Sequence, residues 1–151
     1  MELDSFGKFW QTVRSGPEIK LDFEIPELTD TVSLIRGKNP DKGVYGGKGW
    51  ANYAAAYFND CNKFLRITRD TMKPRGLVVV VIGNSILQGV EVKTEEILAR
   101  MAESIGFRVL GMHIVRRKRT GTSIVNSTVR AGVTKVRTEL YETAVELEAP
   151  H

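Results

Sequence analysis

From Leu77 to Ile82 six apolar residues follow one another without a polar break, the pattern of a strand covered on both faces. Before it, Met72-Lys-Pro-Arg-Gly ends a helix: Pro74 cannot continue it, and Lys73 complements its negative end. That helix is predicted from Asn52 to about Thr71, with Tyr53, Tyr57, Cys61 and Phe64 on one stripe and Ala54, Phe58 and Leu65 beside it. A second helix is predicted after Thr94 as its N-cap, with Glu95 and Glu96 in its first turn. It would bury Ile97, Leu98, Met101, Ala102 and Ile105, and Gly106 is placed to end it. Phe107 to Val115 is apolar apart from Arg108 and His113 and reads as another central strand. A right-handed crossover through the intervening helix pairs it in parallel with Leu77–Ile82. Finally Tyr141, Thr143, Val145 and Leu147 alternate with Glu142, Glu146 and Glu148, the mark of a half-buried antiparallel strand whose acids discourage edge pairing.

The first third of the chain is less regular. Phe6, Phe9 and Trp10 share a face of a short amphipathic helix over Phe6–Val13, ended by Ser15-Gly16-Pro17. Leu21 to Pro26 alternates apolar and acidic residues, but Pro26 restricts it to an edge or an extended loop. Thr31 to Ile35 reads as a short strand. Arg36 to Gly49, with five glycines around Asn39-Pro40-Asp41, reads as a loose loop. The expected organisation is a single α/β domain over residues 1–151, with an irregular region at 1–49 and a core at 50–148.

Composition narrows the class. A chain of 151 residues with 42% hydrophobic content is long enough for a core without staples. One cysteine, Cys61, excludes an internal disulfide framework and fits a reducing compartment. No apolar run reaches the roughly 20 residues of a membrane helix, and the first residues lack the order of a signal peptide, so a soluble, cytoplasmic protein without a membrane partner is expected.

Charge is unevenly placed. From His113 to Thr138 the segment carries Arg116, Arg117, Lys118, Arg119, Arg130, Lys135 and Arg137 and no acid, a charge of +7 in a chain whose net charge is only +4. Such a segment on a slightly acidic body is the footprint of a nucleic-acid partner. Arg116, Arg117, Lys118 and Arg119 are the candidate phosphate contacts and Arg130 the candidate base reader; a solvated loop is the plain alternative.

Beyond the carboxyl ends of strands in an open α/β sheet lies the usual ligand position, held here by Gly83, Asn84 and Ser85. They are candidates for lining a substrate pocket, with a polar strand cap as the alternative. Gly46-Gly-Lys48 invites a phosphate-loop reading, but Lys42 stands where the first glycine belongs and Gly49 where the magnesium-binding hydroxyl belongs. His113 has no second ligand at metal spacing, so no metal site and no catalytic residue is assigned.

The Met-Lys-Pro-Arg-Gly turn, the strand ending Ile-Gly-Asn-Ser85, Gly89-Val-Glu-Val-Lys-Thr-Glu-Glu-Ile-Leu and Ile-Gly-Phe107 together resemble the second half of class I S-adenosylmethionine-dependent methyltransferases. Most similar are the amino-group (N6-adenine/N4-cytosine) DNA methyltransferases, with RNA guanine methyltransferases sharing much of the pattern. In their Leu-Lys-Pro-Gly-Gly turn the first glycine stands where this chain has Arg75. The resemblance, over about residues 50–148, implies a Rossmann-like sheet fragment with packed helices and a C-terminal antiparallel strand pair. It also implies methylation of a base amino group from S-adenosylmethionine. The family's glycine-rich cofactor turn and its Pro-Pro motif have no counterpart, since the chain contains no adjacent prolines. The expected function is therefore a partial or split methyltransferase subunit, needing a complementing chain or a homo-oligomer to bind cofactor. A noncatalytic subunit that binds DNA or RNA, or a fragment of an RNA guanine methyltransferase, is the alternative.

Overall fold

A computed structural model describes residues 7–118 and 139–151. In chain order the elements are α1 (Trp10–Val13), α2 (Pro26–Arg36), a 3-10 turn (Pro40–Tyr45), α3 (Gly47–Thr71), β1 (Leu77–Gly83), β2 (Ser85–Leu87), β3 (Val90–Val92), α4 (Thr94–Ser104), β4 (Arg108–Lys118) and β5 (Leu140–Glu148).

The long strands form one sheet in the order β1-β5-β4, with β5 antiparallel to both neighbours. The antiparallel pairing of the last strand is as expected. The direct parallel pair of Leu77–Ile82 with Phe107–Val115 does not form. β1 and β4 run in the same direction, but β5 lies between them. The alternation in β5 explains the insertion. Thr143, Val145 and Leu147 are buried on the face toward the helices, and the acids on the opposite face meet the cations of β4, as in Arg108–Glu148 at 2.9 Å and Arg116–Glu142 at 3.4 Å. The glutamates expected to guard an edge instead sit in mid-sheet as cross-strand partners.

Helices α3 and α4 supply Phe58, Cys61, Leu65, Leu98 and Met101 to a core that Val145 and Leu147 complete. Fully burying such a side chain stabilises by about 1.5–3 kcal/mol. Only one face of β1 joins this core. Val78, Val80 and Ile82 pack against it, whereas Leu77, Val79 and Val81 are 67%, 58% and 60% exposed. The expectation of a strand covered on both faces is thus not met among the described residues.

Helix α4 is as expected except at its ends, since it stops at Ser104 and Ile105, beyond it, is only half-buried. Thr94 is its first residue rather than its N-cap, and its hydroxyl donates to the Val92 carbonyl at 3.3 Å. Gly106, at φ +106°, ends it. Residues 31–35 are helical, not a strand: Pro26 opens α2 at a first-turn position where its missing N–H costs nothing, and Leu28, Val32 and Ile35 form the buried stripe. Of the N-terminal amphipathic piece only Trp10–Val13 is helical among the described residues, and Trp10 stacks on Trp50 with centroids 4.9 Å apart. Fully buried Asn52 ties this region down, accepting from the Ile19 amide at 3.1 Å and donating to the Pro17 carbonyl at 3.0 Å.

The loose loop is also corrected. Helix α3 begins at Gly47, and Gly46, Gly47 and Gly49 are buried beside exposed Lys48. A Cβ on Gly47 would lie 1.8 Å from the Ile35 carbonyl oxygen and one on Gly49 2.0 Å from that of Val44. These glycines let α3 dock backbone to backbone, which accounts for their clustering without any phosphate.

Candidate functional site

The carboxyl end of β1 gathers most of the polar groups that are buried. Gly83 sits close to β5: a Cβ there would stand 3.2 Å from the Tyr141 carbonyl oxygen, so a side chain would push that strand by a few tenths of an ångström. Ser85 then opens β2, which turns through Gln88 and Gly89, at φ +52° and +78°, into β3. Two successive left-handed residues match the twist of a two-residue hairpin. This hairpin was not read from the sequence, although Gln88-Gly89 between Leu87 and Val90 is its signal. The Gln88 side chain accepts from Asn39 Nδ2 at 2.6 Å, fastening the hairpin to the turn before α3.

Gly83 and Ser85 line a cavity of about 150 Å³ together with Tyr53, Ala54, Tyr57, Phe58, Leu87, Val92 and Thr94. Asn84 is not among its lining residues. Its Oδ1 accepts from the Tyr141 amide at 2.9 Å, and its Nδ2 donates to the Glu139 carbonyl at 2.9 Å and to Glu91 Oε1 at 3.1 Å. Two of the three sequence-derived pocket residues thus face a cavity, and the third caps the strand. The side-chain oxygen of Asn84 is engaged by the backbone of β5, as the strand-cap alternative has it.

Two partners here were missed from the sequence. Glu95, read as a helix-dipole residue, is only 5% exposed; one of its oxygens accepts from the Tyr141 hydroxyl, and Oε2 has no hydrogen-bond partner among the described residues. Burial first, then the neighbouring Glu95, raises the Tyr141 pKa, so this phenol stays protonated. Nothing in the spacing of residues 95 and 141 announced the pair, because only the insertion of β5 brings them together.

Tyr57 and Cys61 stand one helical turn apart below the cavity. Burial, followed by the nearby Cys61, raises the pKa of Tyr57, and burial pushes the Cys61 thiol up to about 12. Cys61 is therefore a packing residue, not a nucleophile. Native protein at pH 8 should resist iodoacetamide and react fully once denatured, as mass spectrometry would show; rapid native labelling would contradict the burial. Because the folded thiol titrates higher than the unfolded one, its contribution to stability should fall as pH rises from about 9 to about 12.

The basic run is partly strand. Arg116, Arg117 and Lys118 lie in β4, while Arg119 and Arg130 lie outside the described residues. Arg116 is held by Glu142, and Arg117 makes two bonds to the Glu139 carboxylate at 3.0 and 2.9 Å. The segment has no acid of its own, yet the returning strand brings acids to it. Among the described residues no three His, Cys, Asp or Glu side chains cluster as a metal site would need, and no helix is long and apolar enough to cross a membrane.

The cavity at Gly83 and Ser85 does not by itself fit S-adenosylmethionine. Small-molecule sites usually enclose about 300–1,000 Å³, and the cavity at Gly83 and Ser85 has about 150 Å³. Its hydroxyls and aromatic rings can line one side of a larger pocket, but they supply no carboxylate for a ribose. No family model, curated protein or solved structure matches the chain.

Proposed function

We propose that the chain is the C-terminal half of an S-adenosylmethionine-dependent DNA methyltransferase, acting on a base amino group only with a complementing polypeptide that binds the cofactor. The observation that carries this reading is the strand order β1-β5-β4: a last strand wedged antiparallel between two strands of like direction, themselves joined through α4. The antiparallel run of that last strand is the closing arrangement the resemblance implies, although β1 and β4 were expected to pair directly. The turn before β1 supports it as well. Arg75 has φ +60°, so the position at which the similar turns carry glycine is left-handed here too. Gly83 and Ser85, with Tyr53 and Tyr57, would form one wall of the substrate pocket, and the complementing chain would supply the cofactor turn and the acceptors for the amine.

A noncatalytic nucleic-acid-binding role draws less support, because Glu142 and Glu139 already hold Arg116 and Arg117. Free phosphate contacts on duplex DNA each add roughly 0.9 to the slope of log affinity against log salt. Replacing this pair with alanine should change the slope by well under roughly 0.9 per residue.

The test is transfer of labelled methyl groups to duplex DNA. The chain alone should neither bind S-adenosylmethionine by calorimetry nor label DNA. Mixed with a polypeptide carrying the cofactor turn and Pro-Pro motif, such as one encoded in the neighbouring reading frame, it should label an exocyclic amine. Stoichiometric cofactor binding by the lone chain would overturn the division of labour, and a mixture without activity would remove the enzymatic reading.

A further inference from the structure

The two outer strands of the sheet are built differently. β4 carries Arg108, His113, Arg116 and Arg117, and its pairing with β5 is interrupted by register shifts between Val109 and Gly111 and between Ile114 and Arg116. Charges and bulges of this kind stop a sheet edge from recruiting another strand. β1 has neither. Its seven residues, Leu-Val-Val-Val-Val-Ile-Gly, contain no charge and no proline, and they pair with β5 residue for residue without a shift. Among the described residues β5 is its only strand partner, so the other row of backbone N–H and C=O groups is left open.

Apolar surface adjoins this open edge on both sides. On the outer face stand Leu77, Val79 and Val81, each more than half exposed. On the helix side a cleft of about 420 Å³ runs between α3 and β1, lined by Tyr57, Cys61, Phe64, Val80, Ile82 and Leu98. An incoming strand would therefore have apolar neighbours above and below, which favours uncharged, β-branched residues along the paired stretch on both faces.

We propose that the open edge of β1 is the docking site for a β-branched strand, uncharged except at its ends, of a partner polypeptide, the same complementing chain that the functional reading requires. Charge supports the choice at one end. Lys73 and Arg75 stand exposed just before Leu77 with no ion pair among the described residues, so the occupant carries an acid beside them. A second copy is a poorer occupant. Antiparallel pairing of β1 with its own copy would place two sets of Leu77, Val79 and Val81 side by side and cover neither. Stacking two outer faces would bury the ion pairs Arg108–Glu148 and Arg116–Glu142, whose desolvation opposes association. A different chain can bring both a strand for the edge and a helix for the outer face.

The experiment uses the full chain and a soluble nine-residue peptide, acetyl-Glu-Val-Thr-Val-Ile-Val-Thr-Val-Glu-amide, followed by hydrogen exchange. In the free protein alternate amides of Leu77–Gly83 should exchange quickly, because half point away from β5. Saturating peptide should slow those amides at least tenfold and leave β4 unchanged. A peptide with proline at its centre should give no protection, and Val81→Lys, at an exposed position, should weaken binding at least tenfold. No protection at millimolar peptide, equal protection by the proline peptide, or protection confined to β4 would each overturn the proposal. So would a dimer in sedimentation at micromolar concentration whose β1 amides are already protected. The peptide carries no cofactor or Pro-Pro motif, so its binding reports the edge alone; failure of methyl transfer would leave that result standing.

Discussion

Gly47→Ala should lower the stability of the protein by about 3 kcal/mol or more, toward the upper end of what overpacking costs. The added methyl would stand 1.8 Å from the Ile35 carbonyl oxygen and 2.7 Å from that of Lys38. Both obstacles are backbone, so no rotamer change relieves the clash. Ile35 itself is fully buried, and the Gly47 amide donates to the Lys38 carbonyl at 2.8 Å, so a retreat of either segment breaks packing or a hydrogen bond. At this chain length about 3 kcal/mol corresponds to a fall in Tm of roughly 6–12 °C. Gly37→Ala is the control, because its Cβ would meet only ordinary contacts at 3.8 Å. Its Tm should shift by no more than about 2 °C. An unchanged Tm in Gly47→Ala would mean that α2 and α3 do not approach as described.

The same glycines show where sequence reading succeeds and where it stops. Arguments from chemistry were enough to reject a phosphate loop at Gly46-Gly-Lys48, because two of its required residues are missing. They were not enough to recognise a helix start, because glycine has poor helix propensity and its role depends on carbonyls 5 to 12 residues away in sequence. Pro26 was misread for a related reason. A proline that would spoil a strand is well suited to the first turn of a helix, and the alternating residues before it favoured the wrong neighbour.

The sheet follows the same division. The apolar residues of β1, the alternation in β5 and the stripe of α4 were all legible, because each is a local pattern with a known period. Strand order was not. Thr143, Val145 and Leu147 fit a strand with one buried face wherever it lies in a sheet, and its place between β1 and β4 shows only in its cross-strand partners, among them Arg108 for Glu148 and Arg116 for Glu142. The candidate site inherits that uncertainty directly. Gly83 and Ser85 were legible as a strand tip, whereas the Glu95–Tyr141 contact exists only because β5 runs beside β1.

Asn84 separates the two readings of that tip. If its side chain served a ligand, Asn84→Ala would leave the fold intact. The contacts assign it to the fold: its amide group stands in for one more ladder residue, accepting from the Tyr141 amide, donating to the Glu139 carbonyl and bonding Glu91. Alanine would strand a backbone donor and a backbone acceptor at the mouth of the β1–β5 ladder, and each such loss costs about 1–3 kcal/mol. Asn84→Ala should therefore cost about 2–4 kcal/mol in urea denaturation. Ser85→Ala should stay within about 0.5 kcal/mol, because Ser85 lines the cavity without such ties. Asn84→Asp should be worse than alanine at neutral pH. It keeps the acceptor for Tyr141 but sets a carboxylate against Glu91 and cannot donate to the Glu139 carbonyl. Equal stability in all three variants would return Asn84 to the pocket and make the strand cap incidental; the ranking aspartate, alanine, serine variant, from least to most stable, would establish that this asparagine holds the wall on which Gly83 and Ser85 are mounted.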